Sequence, residues 1–428
     1  DEEPGIRAVR DRVHLILERL RGDEAMDDRR KSRLTIGGHV DRRGAGRHRV
    51  AGFATGRRRA LVVAAAGAVV SAIGAVTAPE QLLRSYLVAY VFWTGLALGS
   101  LALLSIHQVT GGQWGIAIRR LLESAGLTVP VLAVMFVPIA LGVRVLYPWA
   151  QPEHMAHDPV LQQKAIYLNV PFFLVRAASY FVLWTFLARS MAYWSLAQDA
   201  SDSPLPARRL HLLSRGTLLL LGLTMTFAAI DWMMSLEPHW SSTIYGIIYM
   251  GGSVLTSFAF AIPALAALRD RPEVAAVATP EVFHDLGKLM LAFIMLWAYF
   301  ALSQFLITWM GNLPEEIPWY LARGRGGWQW VGVAIVVFHF ALPFVVLLSR
   351  NAKRRATSLA RVAIGLAVMR FVDLYWLVAP AFHPGQLSVH WLDFATTALI
   401  GGLWVAAFVR HLSVRPLVPQ HDPLAEAA

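Results

Sequence analysis

The chain has 428 residues, 56% of them hydrophobic and only 16% charged, with a formal net charge of +11. Soluble domains hold about 25% charged residues, whereas here the apolar residues gather in blocks of about twenty, the length of a helix that crosses a bilayer. This excludes a soluble globular protein, and the continuous blocks exclude a barrel of alternating strands. With no cysteine, the chain offers no disulfide, thiolate-held iron–sulfur cluster, thioether-attached haem or cysteine zinc site of its own.

In chain order, residues 1–58 read as a basic N-terminal segment. Ile6, Val9, Val13, Ile16, Leu17 and Leu20 share one face of an amphipathic helix, and Gly37–Arg59 reads as irregular. The segment fits a solvated tail, or a surface docking on a partner or on the membrane. No recognised nucleic-acid motif accompanies its arginines, so nucleic acid is not an expected partner. No signal-peptide pattern opens the chain at Asp1-Glu-Glu-Pro4, and a start without Met is expected of a processed or partial sequence.

The spacing then predicts an all-α polytopic membrane protein. Ten spans fall near 60–78, 83–106, 121–146, 166–188, 210–235, 242–268, 287–310, 328–348, 358–379 and 390–409. Residues 59–410 thus form a ten-helix transmembrane domain and 411–428 a C-terminal tail. Arg57–Arg59, Arg119–Arg120, Arg208–Arg209, Arg269, Arg271, Arg350 and Lys353–Arg355 fall on the face shared with the N-terminus. The opposite loops hold Glu80, Glu153, Asp158, Glu237, Glu315 and Glu316. The positive-inside rule therefore predicts a multi-pass protein of a cytoplasmic membrane with both termini in the cytoplasm, its basic loops facing anionic lipid. The glycine-rich Arg323-Gly-Arg-Gly-Gly327 lacks the Lys-Ser/Thr of a nucleotide loop.

Spans five and nine end alike. Asp231 precedes Pro238 by seven residues, with Trp232 and His239 beside them; Asp373 precedes Pro380 by seven, with Trp376 and His383 beside them. Each acid lies about 10 Å below a helix-ending proline. Four helices separate the copies, so the repeats are parallel. They predict two four-helix bundles, spans two to five and six to nine, with spans one and ten flanking them.

Ionisable residues within spans are expensive and mark functional candidates. Asp231 closes span five, His284, Asp285 and Lys288 open span seven, and Arg176, His339, Arg370 and Asp373 lie deeper. Arg370 and Asp373 are spaced to pair along one helix face, and Arg176 has Asp231 or another acid to pair with. Two readings stand: ion pairs that fix helix registry, or a proton-conducting chain in which the Asp285 cluster is the inner mouth and Asp231 and Asp373 are outer relay sites. Asn169, Ser179, Tyr180, Ser303, Gln304 and Thr308 fit a wet interior or interhelical glue. Only His339 is clearly mid-span, so bis-histidine haem ligation is not expected, and the outer His and Glu lack metal-ligand spacing. A quinone head group is the one cofactor the aromatic far rim could take, with Asp231, Trp232, His239 and Trp309 as its set.

Two stretches carry a family resemblance. Asp231-Trp-Met-Met-Ser-Leu-Glu-Pro-His-Trp-Ser-Ser-Thr-Ile-Tyr-Gly246 and Phe283-His-Asp-Leu-Gly-Lys-Leu-Met-Leu-Ala-Phe293, the latter continuing to Trp297-Ala-Tyr-Phe-Ala-Leu-Ser-Gln and Asn312-Leu-Pro-Glu-Glu316, resemble the ActF-type membrane subunit of bacterial alternative complex III. That subunit is similar to the NrfD and polysulfide reductase membrane anchors. The resemblance covers roughly residues 60–410 and matches Asp231, His284, Asp285, Lys288 and Gln304; His339, Arg370 and Asp373 come from position and chemistry.

The resemblance implies ten helices on two four-helix bundles, in a bacterial inner-membrane complex of a respiratory or photosynthetic chain. Such a complex oxidises quinol and passes electrons to a cytochrome or copper protein. It implies partners: a sister NrfD-like quinol-binding subunit, an iron–sulfur protein and multihaem cytochromes c, which hold the clusters and haem c. This chain would then be a non-redox subunit with no catalytic centre of its own, carrying protons. The other readings are a quinol-binding subunit in its own right, a scaffold and, outside the family, a secondary transporter.

Overall fold

The computed structural model describes residues 42–200 and 203–420, with side chains from Gly52 onward. The described residues are mostly helical, and no strand occurs among them. Among the described residues, ten helices are long and apolar enough to cross a membrane: Gly52–Thr77, Pro79–Thr110, Gln113–Leu141, Val170–Asp199, Leu205–Leu236, Tyr245–Leu268, Pro280–Gly311, Trp328–Leu348, Ala356–Ala381 and Trp391–Ser413, here spans one to ten. The chain is therefore a multi-pass membrane protein. It divides into Asp1–Gly52, of which residues 42–52 are described and helical, and Phe53–Ala428, in which the spans pack. The amphipathic face at Ile6–Leu20 lies outside the described residues.

The expectation of irregular chain up to Arg59 is corrected over the described residues: a helix already runs from Arg42 to Thr77. Arginine and alanine are good helix formers, and each glycine in this stretch costs only about 1 kcal/mol against alanine. The apolar span beyond supplies the helical nucleus from which such a segment propagates.

Span two is the axis of the domain, with 94% of its most apolar window buried. It packs against spans three, five, six, nine and ten, and span six packs against spans two, three, five, seven and nine. Contacts two–three, three–four, four–five and two–five have counterparts in six–seven, seven–eight, eight–nine and six–nine. The same four neighbour pairs thus occur within spans two to five and within spans six to nine. Small residues let the two axial helices approach. A Cβ on Gly99 would overlap the Ser253 carbonyl, and Ser257 Oγ donates to Leu96 O at 3.2 Å. Gly99→Ala is expected to destabilise the chain by about 1–3 kcal/mol, as overpacking does, read by thermal unfolding in detergent.

Prolines shape two spans. In span three, Pro130 and Pro138 interrupt the helix, which runs Gln113–Gly126, Val129–Met135 and Val137–Leu141. In span eight, the turn before Pro343 is a π-helix, Ile335–Ala341, and it carries His339. Pro343 offers no N–H to the His339 carbonyl four residues earlier, and its ring crowds that carbonyl. Widening the turn relieves both problems, and such π-bulges recur at functional sites.

Candidate functional site

Two of the buried charge sites hold the acids Asp231 and Asp373, one between spans four and five and one among spans six to nine, and they differ. In the first, Asp231 of span five is fully buried. Arg176 of span four meets it as a fork, with Nη2 donating to Oδ1 at 2.8 Å and Nε to Oδ2 at 2.9 Å. The Tyr180 hydroxyl donates to Oδ2 at 2.8 Å. The third arginine nitrogen donates to Tyr167 O at 2.9 Å. The guanidinium lies 3.9 Å from the Tyr167 ring centroid and 4.3 Å from that of Phe172. Burial raises the Tyr167 phenol above its usual range, and the Asp231 charge adds to that, so this wall is neutral at physiological pH. Trp232, next along, sits in a shell of Tyr90, Phe136, Phe181 and Trp184. Each oxygen of Asp231 already holds donors, and the geometry is the bidentate one in which Arg–carboxylate pairs are strongest.

The second site gathers all four helices of spans six to nine. Arg370 Nη1 pairs with Asp373 Oδ2, both on span nine and both buried. The guanidinium lies against Gly252 of span six, where a Cβ would overlap it. From span eight comes His339, fully buried, its ring edge-on to Trp297 of span seven with centroids 4.0 Å apart. Neither ring nitrogen of His339 has a hydrogen-bond partner, nor does Arg370 Nε, while the Trp297 indole N–H lies beside the Asp373 carboxylate. A buried polar group left unpaired costs about 1–3 kcal/mol. Of these groups only the His339 ring can both donate and accept, since the Arg370 guanidinium and the Trp297 indole are donors only.

Other predicted residues fall elsewhere. His284, Asp285 and Lys288 form a half-exposed cluster, with Lys288 3.0 Å and His284 3.8 Å from Asp285 Oδ1. Gln304 joins the two family-like stretches: Ser242 Oγ donates to its Oε1, and its Nε2 donates to Thr308 Oγ1 at 3.3 Å. Of the rim set, Asp231 and Trp232 are buried, while Trp309 is 70% exposed and His239 pairs outward with Asp158 at 2.8 Å; the structure does not bring these four into one pocket. Asn169 caps span four by accepting from Phe172 N, and Ser179 bonds back to Val175 O on an exposed face, so neither belongs to a wet interior. Among the described residues, no three His, Asp or Glu side chains converge as metal ligands.

The sequence reading missed three buried polar centres. Arg119 and Arg120 were counted as a basic loop, but both are fully buried within a helix and pair with Glu123; the spacings of four and three residues were the available signal. Arg323 is buried in a short helix, Ile317–Arg323. It donates to Trp376 O at 3.2 Å and Leu377 O at 2.8 Å, capping span nine, and pairs with Glu237 at 2.8 Å. Asp393 accepts from Ser85 Oγ at 2.5 Å and Tyr375 OH at 3.2 Å, and closes a capping box at the start of span ten.

At the far end, Asp158 caps a short helix by accepting from Val160 N at 2.9 Å and Leu161 N at 3.3 Å. Burial works against its charged form. The Leu161 and Val160 amides and the His239 ring outweigh it and hold the carboxyl below its usual range. A depressed acid contributes stability above its unfolded pKa of about 3.9, and that contribution is lost as pH falls through the lower folded value. The protection of the Val160 and Leu161 amides, measured against intrinsic exchange at each pH, is thus expected to hold above about pH 4 and to fall below it.

No family model matches the chain, and no curated protein matches it.

Proposed function

We propose that the chain is an ActF-type, non-redox membrane subunit of a bacterial alternative complex III, a quinol:electron-acceptor oxidoreductase, and that it contributes a proton path. The observation that carries the proton reading is the second site: a buried Arg370–Asp373 pair beside His339 and Trp297, with both His339 nitrogens and Arg370 Nε left without a partner. The complex itself is supported by the motif resemblance across residues 231–246 and 283–316, and the lack of cysteine agrees with redox centres held on partner subunits. In this reading His284, Asp285 and Lys288 lie at the cytoplasmic mouth, His339 and Asp373 relay protons at depth, and Arg370 sets their charge balance. Both termini are then cytoplasmic.

For the first repeat, the fully engaged Asp231 favours a scaffold role, with Arg176 and Asp231 fixing the registry of spans four and five rather than passing protons. A quinone at the far rim near Trp232, His239 and Trp309 is the alternative.

Purification of the tagged chain from its native membrane tests the assignment. Multihaem cytochromes c, an iron–sulfur protein and a sister membrane subunit are expected to co-purify. A chain that leaves the membrane alone, and moves a solute across liposomes by itself, is a secondary transporter instead.

A further inference from the structure

Residues 237–244 join spans five and six, and they are held from two sides. On one side stands the loop between spans three and four. Its Lys164 Nζ donates to Pro238 O at 2.6 Å, and its Asp158 pairs with His239 at 2.8 Å. On the other side stands the short helix Ile317–Arg323, between spans seven and eight. Arg323 meets both Glu237 oxygens, Nη2 to Oε2 at 2.8 Å and Nη1 to Oε1 at 3.4 Å. Trp240 stacks on Trp319, both buried, with centroids 4.6 Å apart and planes 12° from parallel. One short segment thus bridges spans two to five and spans six to nine at the far end of the chain.

The Arg323 side is costly to release. Its guanidinium is buried, lies 3.5 Å from the Trp319 ring centroid and is held in place by the carbonyls of Trp376 and Leu377. Among the described residues, Glu237 is its one acidic partner. If Glu237 swung away, Arg323 would keep its charge in a buried place without a counter-ion, which is the expensive way to break such a pair. Deeper in, spans two and six meet closely, where a Cβ on Gly99 would overlap the Ser253 carbonyl. That contact is the pivot available for rocking one group of spans against the other, the motion by which many transporters alternate access. Rocking about it at the far end would part Glu237 from Arg323, or Pro238 and His239 from the loop beside them.

We infer that residues 237–244 form a permanent clasp, with Glu237 as its fastening residue, and that the far end of the chain does not open between spans two to five and spans six to nine. The chain then works as one rigid body and not by alternating access. This holds with or without a proton path.

The test uses the full chain in sealed liposomes, with and without an imposed pH gradient. Because the chain has no cysteine, Ala156→Cys and Glu315→Cys, both exposed and on either side of the clasp, take two spin labels and no others. Pulsed electron–electron resonance is expected to give one narrow distance population, unchanged by the gradient. A second, longer population with the clasp intact overturns the inference and makes the Glu237–Arg323 pair a gate; this arm needs no variant of the clasp to fold. Glu237→Gln with Arg323→Met releases one side without stranding a buried charge. It is expected to broaden the distribution and shift it to longer distance. The original narrow population in that folded variant also overturns the inference, since Glu237 then fastens nothing.

Discussion

Replacing Asp231 with alanine is expected to lower the stability of the folded chain by about 3–5 kcal/mol, the consequence of removing one partner from a buried ion pair. Arg176 would keep its charge, its stack on Tyr167 and its bond to the Tyr167 carbonyl, but would lose the carboxylate that both Nε and Nη2 address. Asp231→Leu combined with Arg176→Met should recover most of the loss, because apolar side chains of similar volume replace a buried pair at little net cost. Thermal unfolding followed by size exclusion reads both variants. A single variant as stable as the wild type, in a complex that has lost proton release, would show instead that Asp231 is a relay group.

The opposite pattern is expected at His339. His339→Phe removes a titratable ring without orphaning a charge, and phenylalanine can keep the edge-on contact with Trp297. Stability should change by less than about 1.5 kcal/mol, as for a conservative core swap, and could rise because two unpaired nitrogens disappear. If the proposed function holds, quinol-driven proton release by the proposed complex should fall about 100-fold, the scale on which a positioned acid–base group acts. Asp373→Ala is a poorer probe, since it strands Arg370 and mixes a folding defect with a transport defect. Unchanged proton release in a stable His339→Phe complex would remove the second site from the path and leave the charges of both repeats as scaffold.

These two outcomes separate the repeats, which sequence spacing presents as equivalents. Asp231 and Asp373 precede their prolines by the same interval, yet their arginines come from different places. Arg176 reaches across from a neighbouring helix, with free choice of angle, and closes a fork. Arg370 sits three residues from Asp373 on the same helix; it meets the acid through one nitrogen, and its Nε is left without a partner.

The amino-acid sequence by itself determined the ten spans, because an apolar block of about twenty residues has one favourable fate in a bilayer. It also determined the pairing of Arg370 with Asp373, since helix geometry fixes which side chains three residues apart can meet. Only the tertiary structure decided which buried charges are satisfied. Arg119 and Arg120 pass for loop residues until Ser195, Gln198 and Arg415 close around Glu123. Arg323 passes for a loop arginine until it caps span nine. Burial, hydrogen-bond completeness and the rotation of each helix about its axis are set by neighbours distant in the chain, and no local pattern encodes them.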